Sequence, residues 1–387
     1  MFKPAKRLEK IPPYIFARID KLIETRKEQG KKVISLGVGD PDLPTPQPIV
    51  DELCRAAGDP ENHRYPSYYG MRKFRESIAN YMAKRFRVNV DPDKNVLPVI
   101  GSKDGLSHLS WAFIDRGDSA LIPDPGYIVY GTSTLFCGGI PIYIPLLEEN
   151  NFLMDLDYIN KDDAKASKLI FLNYPNNPTA ATADLNYFKK VVGFAHKNDL
   201  IVCHDAAYLG ITYDGYKASS ILEVDGAIDN CIEFHSLSKS FNMTGWRIGF
   251  AVGNDEIITH FSTLKTNVDS GIFNAIQYAA IKALDDMGDE TIKNCSVYES
   301  RRDRVLKMLA NLGIEARKPK ATMYIWAKAP KEYTSEKFCE KCINEADVVL
   351  TPGSAFGKYG EGYIRISLTI DDVLLDEALY RLSKLKL

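Results

Sequence analysis

The chain has 387 residues, 45% of them apolar and 26% charged, which suits about two folded domains with a core that needs no staples. Its 49 basic residues against 51 acidic ones give a formal net charge of −2, which excludes a nucleic-acid binder driven by a global basic excess. No apolar run approaches the ~18 residues of a membrane helix, and no apolar stretch follows the basic start Met1–Lys10, so neither a membrane partner nor a signal peptide is expected.

Chain order begins with Pro12-Pro13, which opens a predicted helix carrying Ile15, Ile19, Leu22 and Ile23. A Pro-rich stretch at 41–48 then crosses into a region where short apolar runs alternate with helical patterns. Val96–Ile100 is closed by Gly101, and Ser102–Phe113 reads as a helix. Ser119–Ile122 is closed by Pro-Asp-Pro-Gly, and Lys168–Leu172 is followed by Asn-Tyr-Pro-Asn-Asn-Pro. A helix is predicted over Asp184–Asn198, with Leu185, Phe188, Val191, Val192 and Ala195 on one stripe. Leu200–Cys203 runs into His-Asp-Ala-Ala-Tyr, and Cys231–Phe234 into His-Ser-Leu-Ser-Lys. Arg247–Val252 is one more short run.

This rhythm predicts an α/β fold with a doubly wound, mostly parallel sheet covered on both faces. Ligands bind beyond the carboxyl ends of such strands, where this chain places Gly, Ser, Asn, Asp, Tyr and Lys. After residue 282 the pattern changes to a long charged helix over Asp289–Leu312. Strand-like pieces follow at Met323–Ala327, Val348–Leu350 and Tyr363–Leu368. A last helix starts at Asp371, with Val373, Leu375, Leu379, Leu382 and Leu385 as its inner face. The expected organisation is an arm over 1–43 that joins the small domain, a large domain over 44–281 and a small α+β domain over 282–387, with a pocket between the two domains.

Seven scattered cysteines suit a reducing cytosol better than a disulfide framework. Cys339 and Cys342 form a CxxC with no second close pair, on a predicted helix over Ser335–Glu345, so they read as structural.

The chemistry centres on Lys239. A strand delivers it, serines 236, 238 and 240 surround it, and Arg247 follows eight residues later. A lysine desolvated beside a cation is pushed toward the neutral amine, which can attack a carbonyl. Taken alone it would more often be a surface lysine, and its neighbours reverse that reading. Asp205 ends an adjacent strand and needs a cationic partner if buried. Tyr208 and Asn177 can donate hydrogen bonds nearby. Gly101-Ser102-Lys103 lies where a strand meets a helix, a place suited to a phosphate, and Ser236, Ser238 and Arg247 could complete that cradle. Tyr127, after Pro-Gly, could stack on a flat ring. Arg365, within the alternating strand Tyr-Ile-Arg-Ile-Ser, suits a bidentate carboxylate.

The ordered series Gly-Ser-Lys, Pro-Gly-Tyr, Asn-Asn-Pro-Thr, Asp-Ala-Ala-Tyr, Ser-Leu-Ser-Lys…Gly-Trp-Arg-Ile-Gly and Tyr-Ile-Arg-Ile-Ser resembles the class I/II aminotransferases of fold type I, over nearly the whole chain. The resemblance implies a large domain with a seven-stranded, mostly parallel sheet and pyridoxal 5′-phosphate as cofactor. It implies that Lys239 holds the cofactor and moves a proton, and that Asp205 pairs with the pyridine nitrogen. Tyr208 and Asn177 would reach the ring oxygen and Tyr127 would stack on the ring. Ser102, Lys103, Ser236, Ser238 and Arg247 would hold the phosphate, and Arg365 the substrate α-carboxylate. Tyr65, in Arg-Tyr-Pro-Ser-Tyr-Tyr-Gly, would reach the phosphate of a partner subunit, so a homodimer is implied.

Within the family, residues 11–17, 43–46, 264–273 and 351–363 are most similar to LL-diaminopimelate aminotransferases. That likeness implies amino transfer between LL-diaminopimelate and 2-oxoglutarate, with Tyr14, Gly39 and Asn267 touching the substrate. Two departures stand out. Ala180 replaces the usual Gly after Asn-Asn-Pro-Thr, and residues 264–273 hold no arginine of the kind that binds the side-chain carboxylate in aspartate aminotransferases. Asn267, Lys265 or the N-terminal segment could take that role. An aspartate or broad-specificity aminotransferase and a carbon–sulfur lyase on the same fold are the alternatives, while a non-catalytic regulator would need a DNA-binding segment for which residues 1–43 leave no room. Residues 353–358 resemble a P-loop only loosely, and the six histidines show no metal spacing. His204 and His235 are expected as neighbours of Asp205 and the cofactor.

Overall fold

The computed structural model describes residues 2–11 and 15–387. Pro12, Pro13 and Tyr14 lie outside the described residues, as do the side chains of Ile15, Ile19 and Leu22.

Twelve strands occur among the described residues: β1 (Ile34–Ser35), β2 (Val96–Val99), β3 (Ser119–Asp124), β4 (Ile140–Pro145), β5 (Ser167–Leu172), β6 (Ile201–Asp205), β7 (Cys231–Ser236), β8 (Gly249–Gly253), β9 (Tyr324–Lys328), β10 (Val348–Val349), β11 (Thr351–Pro352) and β12 (Tyr363–Ser367). Seven of them form one sheet in the order β2-β8-β7-β6-β5-β3-β4. Only β8 runs against its neighbours, pairing antiparallel with both β2 and β7. Its amino end therefore lies at the same edge as the carboxyl ends of the other six strands.

Alternation along each strand supplies two apolar faces. Leu121, Ile170, Leu172 and Val202 pack with Phe188, Val191 and Val192 of the Leu185–Lys197 helix. Ala120, Ile122, Leu169, Phe171 and Cys203 face the other way, onto Leu106 and Leu109 of the Ser102–Phe113 helix and onto Phe261. A sheet buried on both sides explains the near-continuous apolar runs. The edge strand β4 has no counterpart in the sequence reading. Its two prolines and half-exposed side chains break the apolar pattern, and an edge is where a sheet tolerates proline.

The remaining strands form an antiparallel sheet, β11-β12-β9, and a parallel pair, β1 with β10. A second core gathers Ile34, Val305, Ile325, Phe338, Ile366 and Leu375. The N-terminal helix Ile15–Glu28 is tied to this part of the molecule, because Arg26 donates to the Asp347 carboxylate at 2.6 Å and to the Ile343 carbonyl. Residue 282 falls inside the Asn274–Asp286 helix, and the long charged helix spans Gly288–Asn311.

The last helix runs over Asp372–Leu382, capped by Asp371, whose carboxylate accepts from Val373 N. Leu375, Leu379, Leu382 and Leu385 are buried, but Val373 is 76% exposed. Two residues are about 200° of helix rotation, so Val373 and Leu375 cannot share a face. Cys339 is half-buried and Cys342 buried on the Ser335–Ala346 helix, and all seven cysteines are free thiols. Ala180 adopts φ 57°, the left-handed region where the usual Gly would sit without strain.

Candidate active site

The sheet edge delivers its polar residues to one cavity of about 490 Å³, lined by Gly39, Ser102, Lys103, Tyr127, Asn177, Asp205, Tyr208, Ser236, Ser238, Lys239, Arg247 and Arg365 among others. Strand β2 leads through Gly101 into the Ser102–Phe113 helix, whose amino terminus points free N–H groups at the cavity. Arg247 enters just before β8 and lies against this turn. A Cβ on Gly101 would sit 2.4 Å from an Arg247 guanidinium nitrogen, so only glycine allows that approach. On the next strand, β7 ends in Ser236 and turns into the short Leu237–Ser240 helix that carries Lys239. Lys239 Nζ donates to the Gly39 carbonyl at 3.0 Å.

Asp205 ends β6 and is only 5% exposed. Tyr130 Oη donates to its Oδ2 at 2.7 Å, and Ala207 N reaches Oδ1 at 3.3 Å. Burial pushes the Asp205 carboxyl up against the opposing pull of the Tyr130 hydrogen bond. A cation beside it would restore the balance. Asn173 Nδ2 donates to the Asp205 carbonyl at 2.7 Å, and Asn173 Oδ1 accepts from Asn177 N at 2.7 Å, so one side chain ties the β5 loop to the β6 end.

Arg365, on β12, is 3% exposed and donates to Asn177 Oδ1 and to the Gly37 carbonyl, each at 2.7 Å. Its guanidinium carbon lies 4.2 Å from the Tyr324 ring centroid and 4.7 Å from that of Phe356. The Tyr208 and Tyr324 hydroxyls are 3.1 Å apart.

The family model for aminotransferase class I and II matches residues 31–382. This chain belongs to that family. It is 50% identical to an LL-diaminopimelate aminotransferase of Dehalococcoides mccartyi, over 99% of each chain. It is 49% identical to another so named in Aquifex aeolicus, over 100% of each. Among solved structures, substrate-bound BacF of Bacillus subtilis is 35% identical with a TM-score of 0.95, covering 99% of this chain and 98% of that one.

As a class I/II aminotransferase the protein depends on pyridoxal phosphate, and the donor set fits that cofactor. A helix amino terminus with serines and Arg247 suits a phosphate. A buried carboxylate suits a protonated ring nitrogen, and a primary amine at the cavity wall suits an aldehyde.

Every predicted cofactor residue except Tyr65 lines the cavity. Tyr65 is 83% exposed on the surface of the chain. Of the expected substrate contacts, Gly39 and Arg365 line it and Tyr14 lies outside the described residues. Asn267 is not among the lining residues, and its Nδ2 donates instead to Thr263 O within its own helix. Lys265 is committed elsewhere: it is buried, with Nζ on Asp269 Oδ1 at 2.8 Å.

His204 and His235 are not neighbours of the cofactor cavity as expected. Both bond to Glu233, His204 from the neighbouring strand and His235 from two residues along β7 itself, because alternation puts residues 204, 233 and 235 on the face opposite Asp205 and Ser236. Glu233 is fully buried. Its Oε2 accepts from His204 Nδ1 at 2.8 Å and from Ile221 N at 2.9 Å, and its Oε1 meets His235 Nε2 and Ser220 Oγ, each at 2.7 Å. Burial would raise this carboxyl, but the hydrogen bond from His204 and the charge and hydrogen bond of His235 outweigh it and hold Glu233 well below the usual carboxylate range.

Sequence reasoning missed Asn173, Tyr130 and Tyr324. Tyr130 carried a signal, since it follows Tyr127 by only three residues; it stands in the first turn of the Val129–Phe136 helix, and the two rings meet edge to face at 5.8 Å. Tyr324 stands in an alternating strand, but only the pairing of β9 with β12 reveals that it reaches Arg365.

Proposed function

We propose that this aminotransferase moves an amino group between LL-diaminopimelate and 2-oxoglutarate. The observation that supports the reading is 49–50% identity, over essentially whole chains, to relatives named for LL-diaminopimelate. The absence of arginine from residues 264–273 also disfavours a dedicated aspartate aminotransferase, and it leaves the distal carboxylate of 2-oxoglutarate to another polar or charged partner.

Pyridoxal phosphate, when bound, supplies the aldehyde that takes up the amino group and the ring that withdraws electrons from the substrate α-carbon. Lys239, whose Nζ stands at the cavity wall on the Gly39 carbonyl, would hold the cofactor through its amine and, when free, would serve as the base and acid that moves a proton at the substrate α-carbon. Asp205, braced by Tyr130, would keep the ring nitrogen protonated. Tyr208 and Asn177 would donate to the ring oxygen, and Tyr127 would stack on the ring. Ser102, Lys103, Ser236, Ser238 and Arg247 hold the phosphate. Arg365 binds the α-carboxylate through its planar fork, and Gly39 lies against the substrate. Tyr65 serves the phosphate site of a second copy, so the enzyme is a homodimer with shared sites, and it works in the cytoplasm.

The test is a half-reaction screen. The purified enzyme, loaded with cofactor, is mixed separately with LL-diaminopimelate, glutamate, aspartate and alanine without an oxo acid. LL-diaminopimelate and glutamate should bleach the visible absorption of the cofactor. Bleaching by aspartate without any response to LL-diaminopimelate would overturn the substrate assignment, and ammonia release without an oxo acid would point to the lyase.

A further inference from the structure

One side chain touches three parts of the site at once. Tyr324, on β9, is buried. Register pairs Trp326 with Arg365, so Tyr324 sits two residues along on the same face, in diagonal reach of the guanidinium. Its ring lies 4.2 Å from that guanidinium carbon, a cation–π contact between two buried side chains. Its hydroxyl is 3.1 Å from the Tyr208 hydroxyl. The backbone of Gly39, whose carbonyl accepts from Lys239, presses on the same ring: a Cβ there would fall 2.0 Å from Tyr324 Oη.

Hydrogen-bond direction gives this contact a function. A phenol that donates to an acceptor in the cavity has only its oxygen lone pairs left for a second partner. If Tyr208 donates inward, Tyr324 must be the donor between the two hydroxyls. A donor chain of this kind polarises each member and strengthens the last bond. The ring face acts separately, by holding the guanidinium plane in one orientation.

We propose that Tyr324 is a positioning residue with two separable actions: its hydroxyl strengthens the hydrogen bond that Tyr208 gives to the cofactor, and its ring face orients Arg365 for the substrate carboxylate. The inference rests on the roles given above to Tyr208 and Arg365.

Two variants separate the actions. Tyr324→Phe keeps the ring and removes the hydroxyl. Its bound-cofactor absorbance should titrate at a shifted pH, in the same direction as Tyr208→Phe but by less, with kcat reduced about three- to tenfold and KM for the amino donor within about twofold. Tyr324→Leu removes the face as well, and should raise KM about three- to thirtyfold, short of the effect of Arg365→Lys. Cofactor dissociation constants, measured by dialysis against fluorescence, should weaken for Tyr324→Phe and Tyr208→Phe alike. An unchanged titration in Tyr324→Phe, while Tyr208→Phe shifts, overturns the hydroxyl action alone. An unchanged KM in Tyr324→Leu, while Arg365→Lys raises it, overturns the ring-face action alone. If neither Tyr208→Phe nor Arg365→Lys responds, the underlying roles fall and the inference falls with them.

Discussion

Replacing Glu233 by Gln should destabilise the protein by about 3–5 kcal/mol at neutral pH, and the structure shows why. The carboxylate is fully buried and each oxygen meets two donors: Ser220 Oγ and His235 Nε2 on Oε1, Ile221 N and His204 Nδ1 on Oε2. An amide keeps one acceptor oxygen and turns the other position into a donor. Two donors then lose a charged acceptor, each worth roughly 1.5–3 kcal/mol, and face N–H groups instead. Relief from burying a charge returns part of this, which leaves a net loss in the range found when one member of a buried ion pair is removed. Thermal unfolding is the assay. About 2.1 cal/mol/K per residue over 387 residues gives a melting entropy of about 0.8 kcal/mol/K, so the midpoint should fall by roughly 4–6 °C. The pH dependence has a fixed sign. The Glu233 carboxyl is held low in the folded state, so its contribution is present above the unfolded carboxylate value of about 4.3 and is lost as pH falls through the folded value. The gap between wild type and variant should therefore narrow on going from pH 7 to pH 3.5. A drop of less than about 1 °C at pH 7, or a gap that widens on acidification, would refute the reasoning.

Three further outcomes are expected. Lys239→Ala should abolish turnover, and borohydride reduction followed by peptide mapping should place the cofactor label on residue 239 in the wild type and nowhere in the variant. Arg365→Lys cannot reproduce the fork that now spans Asn177 and the Gly37 carbonyl, so kcat/KM for the amino donor should fall by about ten- to a hundredfold, matching 1.5–3 kcal/mol for a charged hydrogen bond; steady-state kinetics on both substrates checks it. Ala180→Gly should raise the melting midpoint by about 1 °C. It relieves a left-handed residue at a cost of roughly 1–2 kcal/mol, partly offset by the greater freedom of glycine in the unfolded chain. A lower midpoint in differential scanning would show that Ala180 is not strained.

Much of the architecture was legible because it is local. Val96–Val99, Ser167–Leu172 and Cys231–Ser236 announce themselves as apolar runs, since a strand buried on both faces needs no polar alternation. The Ser102–Phe113 helix runs over the residues predicted for it, and Asp184 and Asp371, expected at the starts of their helices, are capping residues. Strand β4 was hidden because an edge strand with two prolines lacks both signals. Val373 was misplaced because an apolar residue at a helix start satisfies a composition pattern without satisfying the rotation. Most of the cavity residues could be gathered from the sequence for a related reason: they lie at or just beyond the carboxyl ends of strands, which a parallel sheet brings to one edge whatever the pairing order, whereas Arg247 precedes the antiparallel β8 and Arg365 lies within β12.

Residue order alone thus determined the strand-and-helix rhythm, the family and the set of polar groups around Lys239, because these depend on neighbours along the chain. Folding decided which groups meet across it. Arg365 meets Asn177 over a separation of 188 residues, Tyr324 meets Tyr208 over 116, and His204 meets Glu233 rather than the cavity. Those contacts depend on strand register and on which face each side chain takes, and a one-residue shift would exchange every one of them.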